Sequence, residues 1–409
     1  MQDPRSPGGT SGRHAPPVTV RSRLVLIFAL CMVSMNLRPM LTGLGPLLDS
    51  VRDGLGLSGA HIGLLITLPV LCFGAFAPFV PRLLRFMSPE RLILVSLAAL
   101  AVGIGVRSLF GVTGLFLGTF ISGASISVVM VMLPGIIKQH FPAQAGMMMG
   151  LYSTALCIGA ATAAATAVPL EDLLGGWRPA LAFWLLPVLA AIPVWQRQVP
   201  RAAQAASAPP RPSLPRLRGN WLAWQVTLTM GLQSSIAYCV FGWLPVILID
   251  RGMTPLNAGF ALSAALFIQL VSSPLAPWLA TRGKDQRPAL ASMLMMALAG
   301  LLCLFYAPIG WVWVSALVMG FGLGGVFSIA LALLVLRAPN ALVAASLSGM
   351  AQGIGYTIAA SAPLAMGLLH EYTHSWDAVA ALFVLLAVGS LLFGMGAARA
   401  RYIQVDSRP

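Results

Sequence analysis

Arg38 is the residue whose type and position most directly suggest chemistry. It lies in MNLRPMLTGLG (residues 35–45), inside an apolar run that covers residues 24–48. A guanidinium in the middle of such a run costs about 2.5 to 3.5 kcal/mol on membrane-insertion scales, so chains that keep one usually aim it at a water-filled cavity or a ligand. Pro39 has no N–H, so the carbonyl of Met35 loses its helical partner at the same point. This stretch therefore predicts a polar site within a membrane segment.

Arg38 has no acidic partner within the apolar segments. All eleven acidic residues fall in tails, in loops or at helix ends: Asp3, Asp49, Asp53, Glu90, Glu171, Asp172, Asp250, Asp285, Glu371, Asp377 and Asp406. An unpaired guanidinium offers a fixed fork of N–H donors that matches carboxylate-like or linear oxyanion groups. The alternative is that Arg38 hydrogen-bonds helix carbonyls, such as that of Met35, and only holds its helix in place.

Other polar residues in the apolar segments are candidates to join Arg38. At 100° per residue of a regular helix, Thr42 lies within about 40° of Arg38, whereas Asn36 points nearly opposite. Asn36 is therefore expected to hydrogen-bond between helices, unless its helix is locally unwound. Phenol and amide groups in other segments can donate to an anion, with helix packing as their alternative role. These further candidates are Tyr152, Tyr238, Gln269, Gln352 and Tyr356.

The sequence predicts neither a catalytic centre nor a metal site. Away from their ends, the apolar segments contain serines and cysteines but no His or carboxylate, so a base for a nucleophile is missing, as is a set of metal ligands. We therefore expect a protein that is not an enzyme and that uses no cofactor or metal. Proton coupling through a buried carboxylate is not indicated, which leaves a protonated substrate or simple exchange, and sodium coupling is disfavoured.

The composition is that of a polytopic membrane protein, because 58% of the 409 residues are hydrophobic and only 9% are charged. The net charge of +14 does not indicate a nucleic-acid partner, since the basic residues occupy short gaps between apolar segments. Twelve apolar segments have about the twenty residues that a spanning helix needs. They cover residues 22–47, 61–80, 90–107, 112–136, 145–167, 178–196, 220–248, 256–280, 288–306, 311–336, 343–368 and 376–398.

The distribution of basic residues predicts the orientation in the membrane. With the N-terminus inside, the outer loops and helix ends carry only Arg52, Arg107, Arg178 and Arg251. Apart from Arg38, the rest of the 25 Lys and Arg residues then lie on the inner side. Such a bias places both termini in the cytoplasm. Arg107, at the outer end of the third segment, is expected to snorkel to the surface.

The chain divides into two similar halves. The stretch around residues 197–219 is rich in Pro and Arg and has no apolar period, which is typical of a linker. Gly and Pro residues recur across it in the same order at offsets of 196 to 197, for example Gly63 and Pro78 as Gly259 and Pro274. We predict a disordered cytoplasmic tail (1–20), two six-helix halves (21–196 and 220–398), the linker (197–219) and a second cytoplasmic tail (399–409).

Three short motifs resemble one group of the major facilitator superfamily. They are Asn-Leu-Arg-Pro at 36–39, Gly-Leu-Gly-Pro-Leu-Leu at 43–48 and Ala-Pro-Phe-Val-Pro-Arg at 77–82. Residues 20–400 resemble the superfamily, and the motifs are similar to those of its cyanate and 2-nitroimidazole transporter group (CynX/NimT-like). The resemblance implies an all-α fold of twelve transmembrane helices in two parallel-repeat halves. It also implies a bacterial inner-membrane carrier that works by alternating access on a small anion or nitroaromatic solute.

Together these observations predict a secondary transporter in which Arg38 binds the negative or nitro end of a small solute. The expected partners are that solute and the lipid bilayer, without nucleic acid, and the chain is expected to be monomeric. The alternative is a broader exporter of small uncharged aromatic compounds, in which Tyr and Phe side chains line the cavity and Arg38 is structural. Substrate identity, direction of transport and coupling ion do not follow from the residues.

Overall fold

The computed structural model describes residues 20–84, 86–198 and 215–404, which form helices joined by short connections. Before the linker lie α1 (Val20–Met35), α2 (Pro39–Thr42), α3 (Leu48–Leu55), α4 (Gly59–Phe76), α5 (Val80–Leu83), α6 (Pro89–Leu109), α7 (Gly111–His140), α8 (Ala145–Leu174), α9 (Trp177–Ala182) and α10 (Leu185–Gln196). After it lie α11 (Trp221–Asp250), α12 (Pro255–Arg282), α13 (Arg287–Tyr306), α14 (Val312–Leu336), α15 (Ala341–Thr373) and α16 (Trp376–Ala397).

Twelve apolar helical segments are present. Eleven segments among the described residues are long and apolar enough to cross a membrane, and a shorter one, Thr67–Phe79, takes the place of the second predicted span. The part of the chain that the structure describes contains no strand. The prediction of an all-α membrane protein with twelve spanning segments is therefore confirmed. Residues 1–19, most of the predicted linker 197–219 and residues 405–409 lie outside the described residues, and the predicted domain boundaries stay predictions.

Polar side chains mark where several helices begin. Asn220, Thr254 and Asn340 each accept a hydrogen bond from the backbone N–H three residues later, at the starts of α11, α12 and α15. Such caps satisfy N–H groups that have no partner within the helix. Among the spans, α7 and α14 are the most enclosed, because 83% and 89% of the apolar stretch of each is buried inside the protein. They therefore lie in the interior of the bundle.

The first span is interrupted at Arg38. α1 ends at Met35, the chain turns through residues 36–38, and α2 starts at Pro39. The cause is local, because Pro39 cannot donate to the carbonyl of Met35. Thr42 stays one helical turn from Arg38, because its N–H donates to the carbonyl of Arg38 at 3.1 Å, but the assumption of a regular helix from Asn36 to Arg38 is wrong. The turn also changes the direction in which Arg38 leaves its span.

The two halves meet closely at one end of the bundle. We call this the basic end, because the chain reverses there near residues 84, 141, 284 and 339, where most basic residues of the loops lie. A Cβ built at Gly135 would lie 3.2 Å from Cβ of Ala345, and one at Gly353 would lie 3.3 Å from the ring of Pro78. Both contacts join one half to the other. Small residues let helix backbones approach closely, so the basic end is closed.

The chain after α16 packs against the basic end of the C-terminal half. Arg337 is buried and donates from Nε to the carbonyl of Ala397 at 2.8 Å, and its side chain also bonds Gln286. The N–H of Ile403 donates in turn to the carbonyl of Arg337 at 2.8 Å. Burial lowers the pKa of Arg337 to about 10, so the guanidinium stays charged at neutral pH. These bonds fix residues 397–403 beside the loop between α12 and α13.

Candidate functional site

Arg38 is a partly exposed residue of the N-terminal half, and its guanidinium contacts the C-terminal half. It makes no hydrogen bond or ion pair with any described residue, and the ring centre of Phe327 on α14 lies 4.9 Å from its Cζ. The phenols of Tyr238, Tyr356 and Tyr152 lie near this guanidinium. A cation over an aromatic face gains some attraction but uses none of its N–H donors. Arg38 therefore keeps its donors available.

Aromatic rings from both halves form a wall beside Arg38. The rings of Tyr238 on α11 and Tyr356 on α15 lie 6.3 Å apart, and the ring of Phe73 on α4 lies 5.8 Å from that of Tyr356. Ring centres 4.5 to 7 Å apart at a steep angle are a favourable arrangement for aromatic pairs. The wall thus combines rigid apolar surface with phenol groups, which suits a flat solute that is partly apolar.

Two phenol hydroxyls at this site have no partner. Tyr152 and Tyr356 are each at most 3% exposed, and the hydroxyl of neither makes a hydrogen bond within the part of the chain that the structure describes. A buried polar group without a partner costs about 1 to 3 kcal/mol. Buried phenols normally find an acceptor, so these two hydroxyls are suited to a ligand that accepts hydrogen bonds.

Gln352 and Gln269 lie on the C-terminal half but are placed differently. Gln352 donates from Nε2 to the carbonyl of Met130 on α7 at 2.8 Å and to Oγ of Ser348 at 2.7 Å, while its Oε1 has no partner among the described residues. It therefore bridges the two halves. Gln269 on α12 is buried against α14, because a Cβ at Gly324 would lie 2.8 Å from its own Cβ.

Asn36 and Thr42 flank Arg38 but direct their side chains to backbone carbonyls. The amide of Asn36 donates to the carbonyls of Met32 at 2.8 Å and Pro187 at 3.3 Å. The hydroxyl of Thr42 donates to the carbonyl of Ala160 at 2.9 Å. The structure thus brings Arg38, Tyr152, Tyr238 and Tyr356 together and places Asn36 and Thr42 in contacts with neighbouring helices.

Phe327 and Cys157 lie beside Arg38 and carry no signal in the sequence. Phe327 is one aromatic residue among many in apolar segments, and Cys157 resembles the other buried cysteines. Cys157 interacts electrostatically with Arg38, and its sulfur lies 3.5 Å from Oγ of Ser273 on the other half. Only the packing of α8 against α12 and the contact of Arg38 with α14 reveal their positions.

The expectation that Arg107 snorkels to the surface is wrong. Arg107 is 3% exposed and donates from Nη1 to the carbonyl of Met40 at 2.8 Å. The reason is that α2 ends at Thr42, which leaves the carbonyl of Met40 at a helix end within reach of α6. Among the described residues, no cluster of three or more His, Cys, Asp or Glu side chains could hold a metal ion.

The fold and the sequence are those of a known family. The sequence model of the family described as Major Facilitator Superfamily matches residues 24–360 of the chain. The chain belongs to the major facilitator superfamily. The crystal structure of the superfamily transporter FucP in the outward conformation is similar over 92% of this chain and 99% of that one, with a TM-score of 0.70 at 15% identity. This superfamily member is therefore a multi-pass membrane transporter and not an enzyme, and its partners are a small-molecule substrate and the bilayer.

Curated relatives cover almost the whole of the transporter. The "Uncharacterized transporter YycB" of Bacillus subtilis is 36% identical over 92% of this chain and 94% of its own length. The 2-nitroimidazole transporter of Escherichia coli is 35% identical over 94% and 98% of the two chains. The cyanate transport protein CynX of the same organism is 30% identical over 93% and 99%. These relatives confirm the resemblance to the cyanate and 2-nitroimidazole transporter group.

Proposed function

We propose that this transporter moves a small anionic or nitro-bearing solute across the bacterial inner membrane by alternating access, with Arg38 as its central ligand. The solute is a cyanate-like anion or a 2-nitroimidazole-like compound. The observation that carries the proposal is the guanidinium of Arg38, which makes no hydrogen bond with any described residue and lies beside two phenols whose hydroxyls have no partner. Relatives of similar length named for 2-nitroimidazole and cyanate support this class of solute.

In this proposal each group has a separate role. Arg38 neutralises the charge of the solute or binds its nitro oxygens through paired N–H donors. Tyr152 and Tyr356 donate further hydrogen bonds from their hydroxyls, and Tyr238 contributes a ring and a phenol at the same place. Phe327 stacks its ring against the guanidinium and offers an aromatic surface to the solute. Gln269 and Gln352 complete the predicted ligand set from the C-terminal half.

The distribution of charge and the contacts between the halves support an orientation and a transport cycle. The excess of Lys and Arg at the basic end favours a cytoplasmic position for that end and for both termini. The close contacts there correspond to a state in which the site is shut off from the cytoplasm. Transport then requires the two halves to separate at the basic end, as rocking halves around a central site do in this type of carrier.

The test is ligand-induced thermal stabilisation of the purified protein with cyanate, nitrate and 2-nitroimidazole. A ligand at 100 times its Kd stabilises the folded state by about 2.7 kcal/mol, so Tm rises with concentration. Arg38→Gln should remove charge-assisted hydrogen bonds and raise Kd by about tenfold or more. Arg52→Gln is the matched control, because Arg52 is exposed on α3 and loses the same charge without touching the site.

A second candidate function is export of small uncharged aromatic compounds, with Arg38 structural. The aromatic wall of Tyr238, Tyr356 and Phe73 favours it. The same experiment separates the two candidates. Equal stabilisation of the parent and of well-folded Arg38→Gln by 2-nitroimidazole, with no response to the anions, supports the second candidate and contradicts the first.

A further inference from the structure

The interrupted stretch around Arg38 is held by neighbouring helices more than by its own hydrogen bonds. Residues 36–38 form a turn, and α2 spans only residues 39–42. A four-residue helix has almost no intrahelical bonds of its own and is unstable without outside contacts. The direction in which Arg38 points therefore depends on what fixes residues 36–43.

Contacts from three helices fix this stretch. On one side, Thr42 donates to α8 at Ala160, and Asn36 donates to α10 at Pro187. A side chain at Gly159 of α8 would collide with the carbonyl oxygen of Met35, so that face is also in direct contact. The third contact comes from α6, where Arg107 donates from Nη1 to the carbonyl of Met40 at 2.8 Å.

Arg107 is the charged member of these contacts and has no other described role. Its side chain is 3% exposed, Nε has no partner among the described residues, and no carboxylate pairs with it in the part of the chain that the structure describes. Burying a guanidinium is costly unless its donors are used. A Cβ at Gly118 of α7 would collide with the backbone of Arg107, so the close approach of α7 leaves the side chain little freedom.

From this geometry we propose that Arg107 is a positioning residue for substrate binding: its bond to the carbonyl of Met40 holds residues 36–43 so that Arg38 faces the site. The link to binding rests on the proposed function of Arg38. The bond to Met40 can be tested without any ligand. In this proposal Arg107 acts through the carbonyl of Met40 and not through contact with the solute.

The first measurement is hydrogen–deuterium exchange of the purified, ligand-free protein. The N–H groups of Leu41, Thr42 and Gly43 bond to the carbonyls of Arg38 and Pro39, so their exchange reports the order of this stretch. In Arg107→Gln, which is neutral and too short to keep the bond, we expect these amides to exchange about tenfold faster or more. Amides of residues 24–33 in α1 should be unchanged, and Arg52→Gln should resemble the parent throughout.

A conservative variant keeps the test decisive. Arg107→Lys retains the charge and one compact donor, so it provides a folded protein even where Arg107→Gln does not fold. Its exchange at residues 41–43 should still be about threefold faster than in the parent, because the planar fork of donors is lost. Exchange equal to the parent in both folded variants, or in the one that folds, overturns the proposal.

The second measurement tests the link to binding with 2-nitroimidazole and cyanate as probes. Arg107→Gln should raise the Kd of the probe that stabilises the parent by about tenfold, and Arg107→Lys should recover most of the affinity. Faster exchange with unchanged Kd overturns the link between this stretch and the site. Because the exchange arm contains no ligand, its result stands whether or not Arg38→Gln shows that Arg38 binds the solute.

Discussion

Tyr152 and Tyr356 carry hydroxyls that contribute no hydrogen bond to the described fold. Both are buried on helices from different halves, and neither hydroxyl has a partner among the described residues. A phenol kept for packing alone would bond a nearby carbonyl, as Trp195 does by donating from Nε1 to the carbonyl of Glu90. A ligand that accepts these hydrogen bonds therefore best explains why the two unpaired donors are retained despite their cost.

Replacing Tyr152 or Tyr356 by Phe should separate a binding role from a structural one. Removing an unsatisfied hydroxyl should leave the Tm of the empty protein unchanged or raise it, since the unpaired group costs about 1 to 3 kcal/mol. The same change should raise the Kd of the solute by about fivefold or more, because a hydrogen bond to the ligand is lost. Thermal unfolding with and without solute measures both effects.

Tyr306→Phe is the matched control for this pair. The hydroxyl of Tyr306 donates to Asp377 at 2.9 Å on the exposed surface, far along the chain from the site residues. This variant should leave the Kd unchanged. A lower Tm and an unchanged Kd for Tyr152→Phe and Tyr356→Phe would assign these hydroxyls to the fold.

How much of the site the sequence predicts depends on how unusual each residue is in its surroundings. Arg38 is identifiable because a charge is rare in an apolar run, and the tyrosines because they are among the few donors there. Phe327 has no such contrast with its neighbours. The position of Arg107 near a segment end is typical of snorkelling, and the sequence does not show that α2 ends at Thr42 and leaves the carbonyl of Met40 as an acceptor.

The positions of the spanning helices can be predicted from the sequence, whereas the geometry of the break at Pro39 and the contact between α15 and α7 cannot. Spanning segments follow from membrane thickness and apolar length, so all twelve were predicted close to their observed positions. The turn at residues 36–38 is implied by Pro39, but it changes the directions that a regular helix would give across it, such as that of Asn36 relative to Arg38. The partner of Gln352 on α7 cannot be predicted from the sequence, because its acceptor is a backbone carbonyl of the other half.

Gln352 should stabilise the closed basic end through its bond to the carbonyl of Met130. Such a bond contributes about 0.5 to 1.5 kcal/mol, so Gln352→Leu should raise the open population by about two- to tenfold. A cysteine introduced at Ala345, which is 7% exposed at the contact with Gly135, reports that population through its rate of alkylation. We expect the rate to rise in proportion, measured on the peptide that contains residue 345.

Gln233→Leu provides the comparison, because Gln233 is equally buried but, among the described residues, donates only to Ser234 and Met230 of its own helix. It should leave the alkylation rate at residue 345 close to the parent value. If Gln352→Leu and Gln233→Leu give the same rate, the bridge between α15 and α7 does not control opening.

At the scale of the whole molecule, transport requires the two halves to move as units around the site. The Cβ of residue 345 and a Cβ built at residue 135 lie 3.2 Å apart, and a disulfide needs about 3.5 to 4.5 Å between Cβ atoms. A shift of a few tenths of an ångström between α7 and α15 is therefore enough for Gly135→Cys and Ala345→Cys to form a cross-link. That cross-link would lock the basic end in the closed arrangement.

We expect oxidation of the double-cysteine protein in liposomes to lower solute flux by about tenfold or more, and we expect reduction of the disulfide to restore the flux. The reason is that a locked basic end cannot release or accept solute on that side. Thermal stabilisation by the solute should survive oxidation, since the lock leaves the site beside Arg38 intact. The two single-cysteine variants control for the native thiols, of which Cys303 is exposed. Flux that persists after quantitative cross-linking would mean that the solute does not pass between the halves at this end. The motion around Arg38 would then have to be sought within one half, at the break in the first span.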